Sequence, residues 1–352
     1  MAVTFFQSQT PGSKTKWDLR EILESDIQWV TDIDFSAGQL TFKLVEVDEG
    51  YTPKNGDNIW FNWDHDHVFK GKVFKVDYDE SEVFSVTAYD SLRYFKNQDS
   101  LVLPVSTISQ RFTRVAKLAG VKHKVVNNST HKLVAEVADS KSYFDMLKAS
   151  FKATRLATGH RYFLRDNYGT VELRRAPYKK LTNIIGDQSQ LTGFSFSKSI
   201  DDTVNVVRVV RTDKKKKQQT SSTAKTKAKK QTAAQKKAAD VANTKLTTVT
   251  AAGGSVERWG KLQVVEKAKD KANAAQMKQK AKDILKSKNK QAYTLKLTTM
   301  ANLNVVAGNE AMVKVKSLKD IGLGSKYLLI TKATHTFTGT TDTAEIEMKV
   351  RI

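Results

Sequence analysis

NIWFNWDHDHVFKGKVFKVDYDESEVFSVTAYD, residues 58–90, decides the fold class. Val73 and Lys75 alternate with Phe74 and Val76, the period-two pattern of a half-buried strand. Breaks near His65–Asp66 and Tyr78–Glu82 divide the stretch into three strands. Strands this short and this closely spaced point to a barrel or a sandwich. Upstream, GQLTFKLVEV (38–47) sets Leu40, Phe42 and Leu44 against Thr41, Lys43 and Val45. Between the two, Tyr51–Asp57 has turn chemistry: Pro53 presets φ and Gly56 accepts a positive φ. The first hundred residues are therefore expected to be mainly strand.

A helical middle follows. Thr107–Ala119 places Ile108, Phe112, Val115, Ala116 and Ala119 near one face, and Gly120 ends it. Ser142–Ala157 repeats the pattern with Phe144, Leu147, Phe151 and Ala153, and Ser140 or Ser142 is its N-cap. HRYFLRDNYGTVELRRA (160–176) is a hairpin turning at Asp166–Gly169. Farther on, TVNVVRVVR (203–211) is β-like. Alternation then returns only after residue 290, in AYTLKLTT (292–299), AMVKVK (311–316), KYLLITKATHTFTG (326–339) and TAEIEMKVRI (343–352). The last is cleanest, with Ile346, Met348, Val350 and Ile352 on one face. Glu257–Lys288 has helical spacing: Leu262, Val265, Ala268, Ala272 and Ala275, then Ala281, Ile284 and Leu285.

Residues 212–246 interrupt the C-terminal strands with a run of eleven Lys, two Asp and no aromatic residue. This reads as a solvated insertion, and it contributes +9 to a formal net charge of +22. A balance this basic suits a nucleic acid, an acidic protein surface or anionic lipid. The absence of Cys excludes disulfides, zinc–thiolate sites and Cys nucleophiles. The first residues, MAVTFFQSQTPGSK, lack the pattern of a signal peptide, and no apolar run approaches the roughly 20 residues that span a bilayer. Cytoplasmic synthesis and no membrane anchoring are the expectations.

Catalytic and cofactor motifs are missing: no GxSxG elbow, Walker A run, HExxH, GxGxxG or EF-hand loop occurs. His65 and His67 are a close pair with Asp64 and Asp66 beside them, but a metal needs about three protein ligands and no further cluster exists. A polar turn is the simpler account. Asp77, Asp79, Glu80 and Glu82 lie at a hairpin tip, where solvated charge is ordinary. His160, Arg161 and Asp166 flank another hairpin and read the same way. Lys214–Lys217 and Lys225–Lys230 could neutralise phosphates, yet 212–246 offers no aromatic side chain for base stacking. No catalytic, cofactor-binding or metal residue is therefore assigned, and no cofactor is expected.

Several stretches together resemble the XkdQ-type baseplate hub proteins of contractile phage and prophage tails. They are SDIQW (25–29), GDNIWF (56–61), VFKGKVFKV (68–76), SVTAYDSLRYFKNQ (85–98), SVERWGKLQVVEK (255–267), NLNVVAGNEAMVKV (302–315) and YLLITKATHTFTG (327–339). Within them the Trp259–Gly260 step and the His335–Phe337 step match family features. The resemblance implies an α+β, mainly β fold with two tube-type β-barrel domains and α/β insertions, assembled as a ring-shaped homotrimer. The first barrel would be 1–100 and an α/β middle domain 101–190. The second barrel, 191–352, would be interrupted by a Lys-rich flexible insertion (212–254) and a basic helix (255–289). The implied role is structural and non-enzymatic, in the tail baseplate of a phage or a tail-like bacteriocin assembled in the bacterial host cytoplasm. The trimer would join a hexameric tail tube protein to a trimeric central spike protein. Other baseplate proteins, of wedge or LysM type, would be neighbours, and the lumen would pass DNA or tape measure. Trp60, Phe61 and Trp63 are candidates for the subunit edges, with ordinary core as the simpler account. The alternatives are a tail-associated peptidoglycan hydrolase, which would need an acid or metal cluster in a cleft, and a basic nucleic-acid-binding protein.

Overall fold

The computed structural model describes residues 3–46, 50–214, 244–268 and 271–350. Two compact units divide the chain: residues 1–197 with 293–352, and residues 198–292.

In the larger unit the first strands are β1 (Val3–Gln9), β2 (Trp17–Asp18), β3 (Ile27–Asp32), β4 (Gln39–Val45), β5 (Asn58–Trp63), β6 (Asp66–Tyr78) and β7 (Val83–Tyr89). The three strands expected in 58–90 are thus present. Phe42, Leu44, Ile59, Phe61, Trp63 and Phe84 alternate inward to a core that also takes Phe6 and Phe337.

The middle segment holds β8 (Gln98–Leu103), β9 (Ser106–Thr107), α1 (Ile108–Leu118), β10 (His123–Val125), β11 (Lys132–Leu133), β12 (Glu136–Ser142), α2 (Tyr143–Thr158), β13 (Arg161–Asn167) and β14 (Thr170–Ala176). Both helices match their expected spans, because both carry explicit start signals. Thr107 accepts from the Gln110 N–H, and Gln110 answers back to the Thr107 N–H in a capping box. Ser142 caps α2, and Gly159 closes it in the left-handed region at φ 74°. The hairpin β13–β14 turns between Asn167 and Thr170 as expected.

The remaining strands of this unit are β15 (Lys180–Gly186) and β16 (Leu191–Ser199), then β20 (Ala292–Met300), β21 (Glu310–Lys314), β22 (Lys326–Thr338) and β23 (Thr341–Val350). The intervening β17 (Val206–Lys214), β18 (Thr244–Ala252) and β19 (Gln263–Lys267) belong to the smaller unit. On β23, Ile346, Met348 and Val350 are buried while Glu345 and Lys349 are exposed, the alternation expected.

The expectation of two tube-type β-barrels is overturned. A single open sheet of 13 strands runs β16-β20-β23-β22-β3-β4-β7-β6-β5-β1-β2, with β15 and β21 branching from β22. To close on themselves, the N-terminal strands would need both edges of β3. One edge pairs with β4, and the other is taken by β22 through Lys332↔Asp32 to Phe337↔Ile27. The N-terminal and C-terminal strands are therefore one antiparallel surface, ending at β2 on one side and β16 on the other. The architecture is mixed α+β with mostly antiparallel sheets.

In the smaller unit β17 lies between β18 (antiparallel) and β19 (parallel). Helix α3 (Ala274–Lys288) supplies Met277 and Ala281 to a core with Val207 and Val209. Two sequence expectations change here. The helix expected over 257–288 starts only after Asn273, whose side chain makes a capping box with Gln276. The Gln263–Lys267 part is strand, with Val264 turned inward and Val265 outward, and the β-branched pair favours that outcome. Strands also return well before residue 290, in β18 and β19. Of the Lys-rich run, Thr212–Lys214 extends β17 and Thr244–Leu246 begins β18. Lys215–Lys217 and Lys225–Lys230 lie outside the described residues.

Replacing Ile346 by Ala is expected to lower stability by about 2–5 kcal/mol. Glu345→Ala, one residue away on the wet face, should stay within about 0.5 kcal/mol. Urea midpoints of the two variants check the assignment of faces.

Candidate functional site

Buried polar side chains concentrate where β22 meets β3. The register sets His335 opposite Trp29, with ring centroids 5.3 Å apart. His335 is 0% exposed. Its Nδ1 lies 2.8 Å from an Asp342 carboxylate oxygen, and its Nε2 lies 2.9 Å from the Val305 carbonyl. A carbonyl only accepts, so Nε2 carries a proton and donates it. Asp342 sits at the start of β23, and its other oxygen is buried with no hydrogen-bond partner among the described residues. The ring also stacks at 5.8 Å on Phe337, which packs against Phe61 and Trp63. The His335–Phe337 step is thus a core staple across the joined sheet, not a surface feature.

The loop 302–309 is held at the same place. Ala307 N–H donates to Thr31 Oγ1 at 3.2 Å, and Asn309 Nδ2 donates to the Asn304 carbonyl at 2.9 Å. Gly308 has φ 96°, and a Cβ there would stand 2.2 Å from the ring of Phe163, so only glycine admits this approach. Phe163 belongs to β13, and by this contact the middle segment rests on the loop.

A set of charges completes the junction. The Arg165 guanidinium lies 5.3 Å from the centre of the Trp29 ring, a cation–π arrangement. Burial pushes Arg165 down to about 10. Asp90 accepts from Leu92 N–H at 3.0 Å, capping the short 3₁₀ helix Ser91–Lys96, and from Gly38 N–H at 2.9 Å. A Cβ on Gly38 would meet Asp90 at 2.4 Å. Burial, and next the neighbouring Asp166 carboxylate, hold Asp90 well above the ordinary carboxylate range. Burial raises Asp166 as well, although Ser91 N–H and Gly169 N–H donate to it.

The other sequence candidates are scattered. His67 stacks on Tyr168 at 4.2 Å and meets Asn62 at 3.1 Å, while His65 is exposed at the tip of the β5–β6 hairpin. Among the described residues no group of three or more His, Asp or Glu is placed to hold a metal. Asp77, Asp79, Glu80 and Glu82 are exposed, and the Ser81 hydroxyl and N–H hold Asp79 below its usual value. His160 is exposed, and Arg161 pairs with Asp34 at 2.7 Å. Asp166 departs from its reading as a solvated hairpin charge, since it faces the junction. Phe61 and Trp63 are core and cannot serve as subunit edges, and only Trp60 is half-buried, with Lys16 5.9 Å from its ring. Trp259 ends a helical turn, and Gly260 leads to strand β19, which precedes helix α3. Sequence reading missed Asp90, Arg165 and Asp342. Asp90 alone carried a signal, as an N-cap residue in AYDSLRYF.

The arrangement binds three segments together and exposes no reactive group. A match to the YqbQ-like family model covers residues 27–237 and 234–349. The chain belongs to the YqbQ-like family. It is 26% identical over 301 residues to YqbQ of Bacillus subtilis (strain 168), covering 85% of this chain and 82% of that protein. To the phage-like element PBSX protein XkdQ of the same organism it is 25% identical over 300 residues, with the same coverage. Among solved structures it is similar to the prophage MuSo2 43 kDa tail protein from Shewanella oneidensis, with a TM-score of 0.64 and 12% identity. That match covers 99% of this chain and 98% of the other, and at such identity it is a likeness of fold. The family relationship thus includes a protein of a phage-like element. No helix among the described residues is long and apolar enough to cross a membrane.

His335→Ala would leave the Asp342 carboxylate and the Val305 carbonyl buried without their partner. The expected loss is roughly 3–5 kcal/mol, and a urea midpoint change worth less than about 1 kcal/mol would contradict the staple role. The sign for Asp90 is the opposite of a salt-bridged carboxylate. Its folded-state pKa is raised, so its contribution is fully present below its unfolded pKa of about 4. That contribution is lost as pH rises through the folded value. Asp90→Asn should flatten this fall in a series of melts from acid to neutral pH.

Proposed function

We propose that this chain is a structural component of a phage-tail baseplate, a trimeric adaptor that joins the hexameric tail tube to the trimeric central spike. One observation carries the reading: an open sheet ends in nine-residue β16, whose outer edge has no ladder partner among the described residues. Phe194 is exposed on that strand. A long unpaired edge with apolar side chains is an aggregation hazard unless another chain covers it. A cyclic assembly covers it once per copy. The family membership and the name of XkdQ, a protein of a phage-like element, support the same role. On this reading the protein sits in the virion baseplate, is assembled in the host cytoplasm, and acts through binding surfaces without a cofactor. Residues 1–100, 101–190 and 191–352 are proposed as its assembly segments, without the closed barrels. Other baseplate proteins of wedge or LysM type are proposed neighbours, and DNA or tape measure the passing cargo.

A second reading, direct nucleic-acid binding, has one observation in its favour. Residues 198–292 hold 25 Lys or Arg and 8 Asp or Glu, a net +17 of the chain's +22. On α3, Lys278, Lys282 and Lys286 follow at intervals of four, a like-charge ladder that costs the helix a few tenths of a kcal/mol per pair. This reading requires heparin or DNA retention that falls steeply with salt.

Light scattering on the purified chain, alone and mixed with its neighbouring tube and spike proteins, decides between them. A trimer, alone or on mixing, that Phe194→Glu disrupts without changing the melt supports the adaptor. A persistent monomer that ignores both proteins but binds DNA favours the second reading.

A further inference from the structure

Strands β8 and β12 form a two-stranded ribbon beside α1, with Val137 opposite Val102. The same register runs from Glu136↔Leu103 to Leu133↔Ser106, so Val134 lies opposite Val105. Inward residues Leu103, Leu133 and Ala138 enter the core of the middle segment. The four valines do not: Val102 is 64% exposed, Val105 62%, Val134 80% and Val137 68%. Pro104 and Ala135 between them are exposed too. Scattered surface valines need no explanation, but a contiguous ribbon of them does.

Two open grooves lie along α1, the smaller of them at the ribbon's edge. One, of about 630 Å³, runs along α1 and is lined by residues that include Arg114, Lys117 and Val125. The other, of about 260 Å³, takes in Pro104, Val105 and Arg114. Gln110 and Arg114 line both, so the two adjoin along α1, and the trough they form meets the ribbon at Pro104 and Val105. Arg114 donates to the Val102 carbonyl at 2.7 Å, which fixes its guanidinium at the ribbon's edge. Arg111, by contrast, is buried and neutralised by Glu136. The free charge facing the trough is thus cationic, from Arg114 and Lys117.

Area and charge select the occupant. The valines offer on the order of 400 Å² of surface, about half of what each partner contributes to a standard interface, so a stable pair of copies is not what fits. A second copy would also bring the same cations and the same net +22. An extended strand-like segment is the right size for a trough beside a ribbon. We propose that this trough docks an extended acidic segment of a partner protein, with apolar side chains on the valines and carboxylates on Arg114 and Lys117. This site is built on a different sheet from β16 and does not depend on the adaptor reading.

The test uses the full chain and three labelled synthetic octapeptides, alternating Val with Glu, Ser with Glu, and Val with Lys, in fluorescence anisotropy at physiological salt. The Val/Glu peptide is expected to bind saturably, at least tenfold more tightly than either control. The double variant Val102→Ser/Val137→Ser, and separately Arg114→Glu, should each weaken that binding tenfold or more with unchanged melts. Equal binding of Ser/Glu would reduce the effect to bulk charge and overturn the proposal. So would unchanged affinity in both variants, or no saturable binding at all. A fall in the mass of the unliganded protein on Val102→Ser/Val137→Ser would show a second copy on this face and overturn it as well.

Discussion

The pairing of β22 with β3 is the constraint from which the rest of the larger unit follows. β22 is 13 residues long and carries a register shift between Ile330 and Lys332. Before the shift it pairs with β21, and after it with β3. One strand thereby hands the sheet from the C-terminal strands to the N-terminal ones. Strand pairing alone does not specify such a long-range join, because a slip of one residue would turn every side chain to the wrong face. The His335 ring fixes the register. Only one alignment puts it beside Trp29 while its two nitrogens reach Asp342 and the Val305 carbonyl.

Burying a histidine and a carboxylate is unfavourable beside an apolar filling of the same volume, and a buried pair is weak evidence for stability in itself. Its value here lies in geometry. An apolar side chain at 335 would pack as well in neighbouring registers, whereas a ring with two directional partners would not. The same logic extends outward. Gly308 admits Phe163, Gly38 admits the Asp90 carboxylate, and Arg165 lies over Trp29. Each contact ties a different segment to the join, so the loop, the middle segment and both groups of strands are set by one junction.

Much of this was legible in the sequence, and the boundary of legibility is physical. Local signals gave the helices: apolar spacing closed by Gly120 in the first, and Ser140 or Ser142 as N-cap of the second, need no tertiary information. Period two gave the strands of 58–90 and 343–350. It could not tell an open sheet from a closed barrel, because inward and outward alternation is the same in both. The difference lies in which strand takes the free edge of β3, and that partner is some 300 residues away in the chain. The resemblance to tail hubs pointed correctly to the family, yet carried with it a closure that the hydrogen-bond pattern of this chain does not make. In the Glu257–Lys288 stretch, spacing by three and four overrode the β-branched pair Val264–Val265, and the strand was missed.

The candidate residues divided along a similar line. His65, His67 and the carboxylates of 77–82 were noticed because they are close in sequence, and they proved to lie at hairpin ends, His67 and Asp77 on β6 and the others in the turns. Asp90, Arg165, Trp29, His335 and Asp342 are far apart in sequence and were assembled only by the fold. Asp166 shows why charge alone misleads: at a hairpin it reads as solvated, but the hairpin is packed against Asp90, and burial raises both carboxylates. The proposed adaptor role gives a reason to place polar groups this way. Directional contacts inside the junction resist sliding of one sheet segment past another, and the surfaces left free, the β16 edge and the valine ribbon, are then presented on a rigid frame. Binding to a rigid frame orders few groups at the moment of contact, which leaves more of the contact energy as affinity.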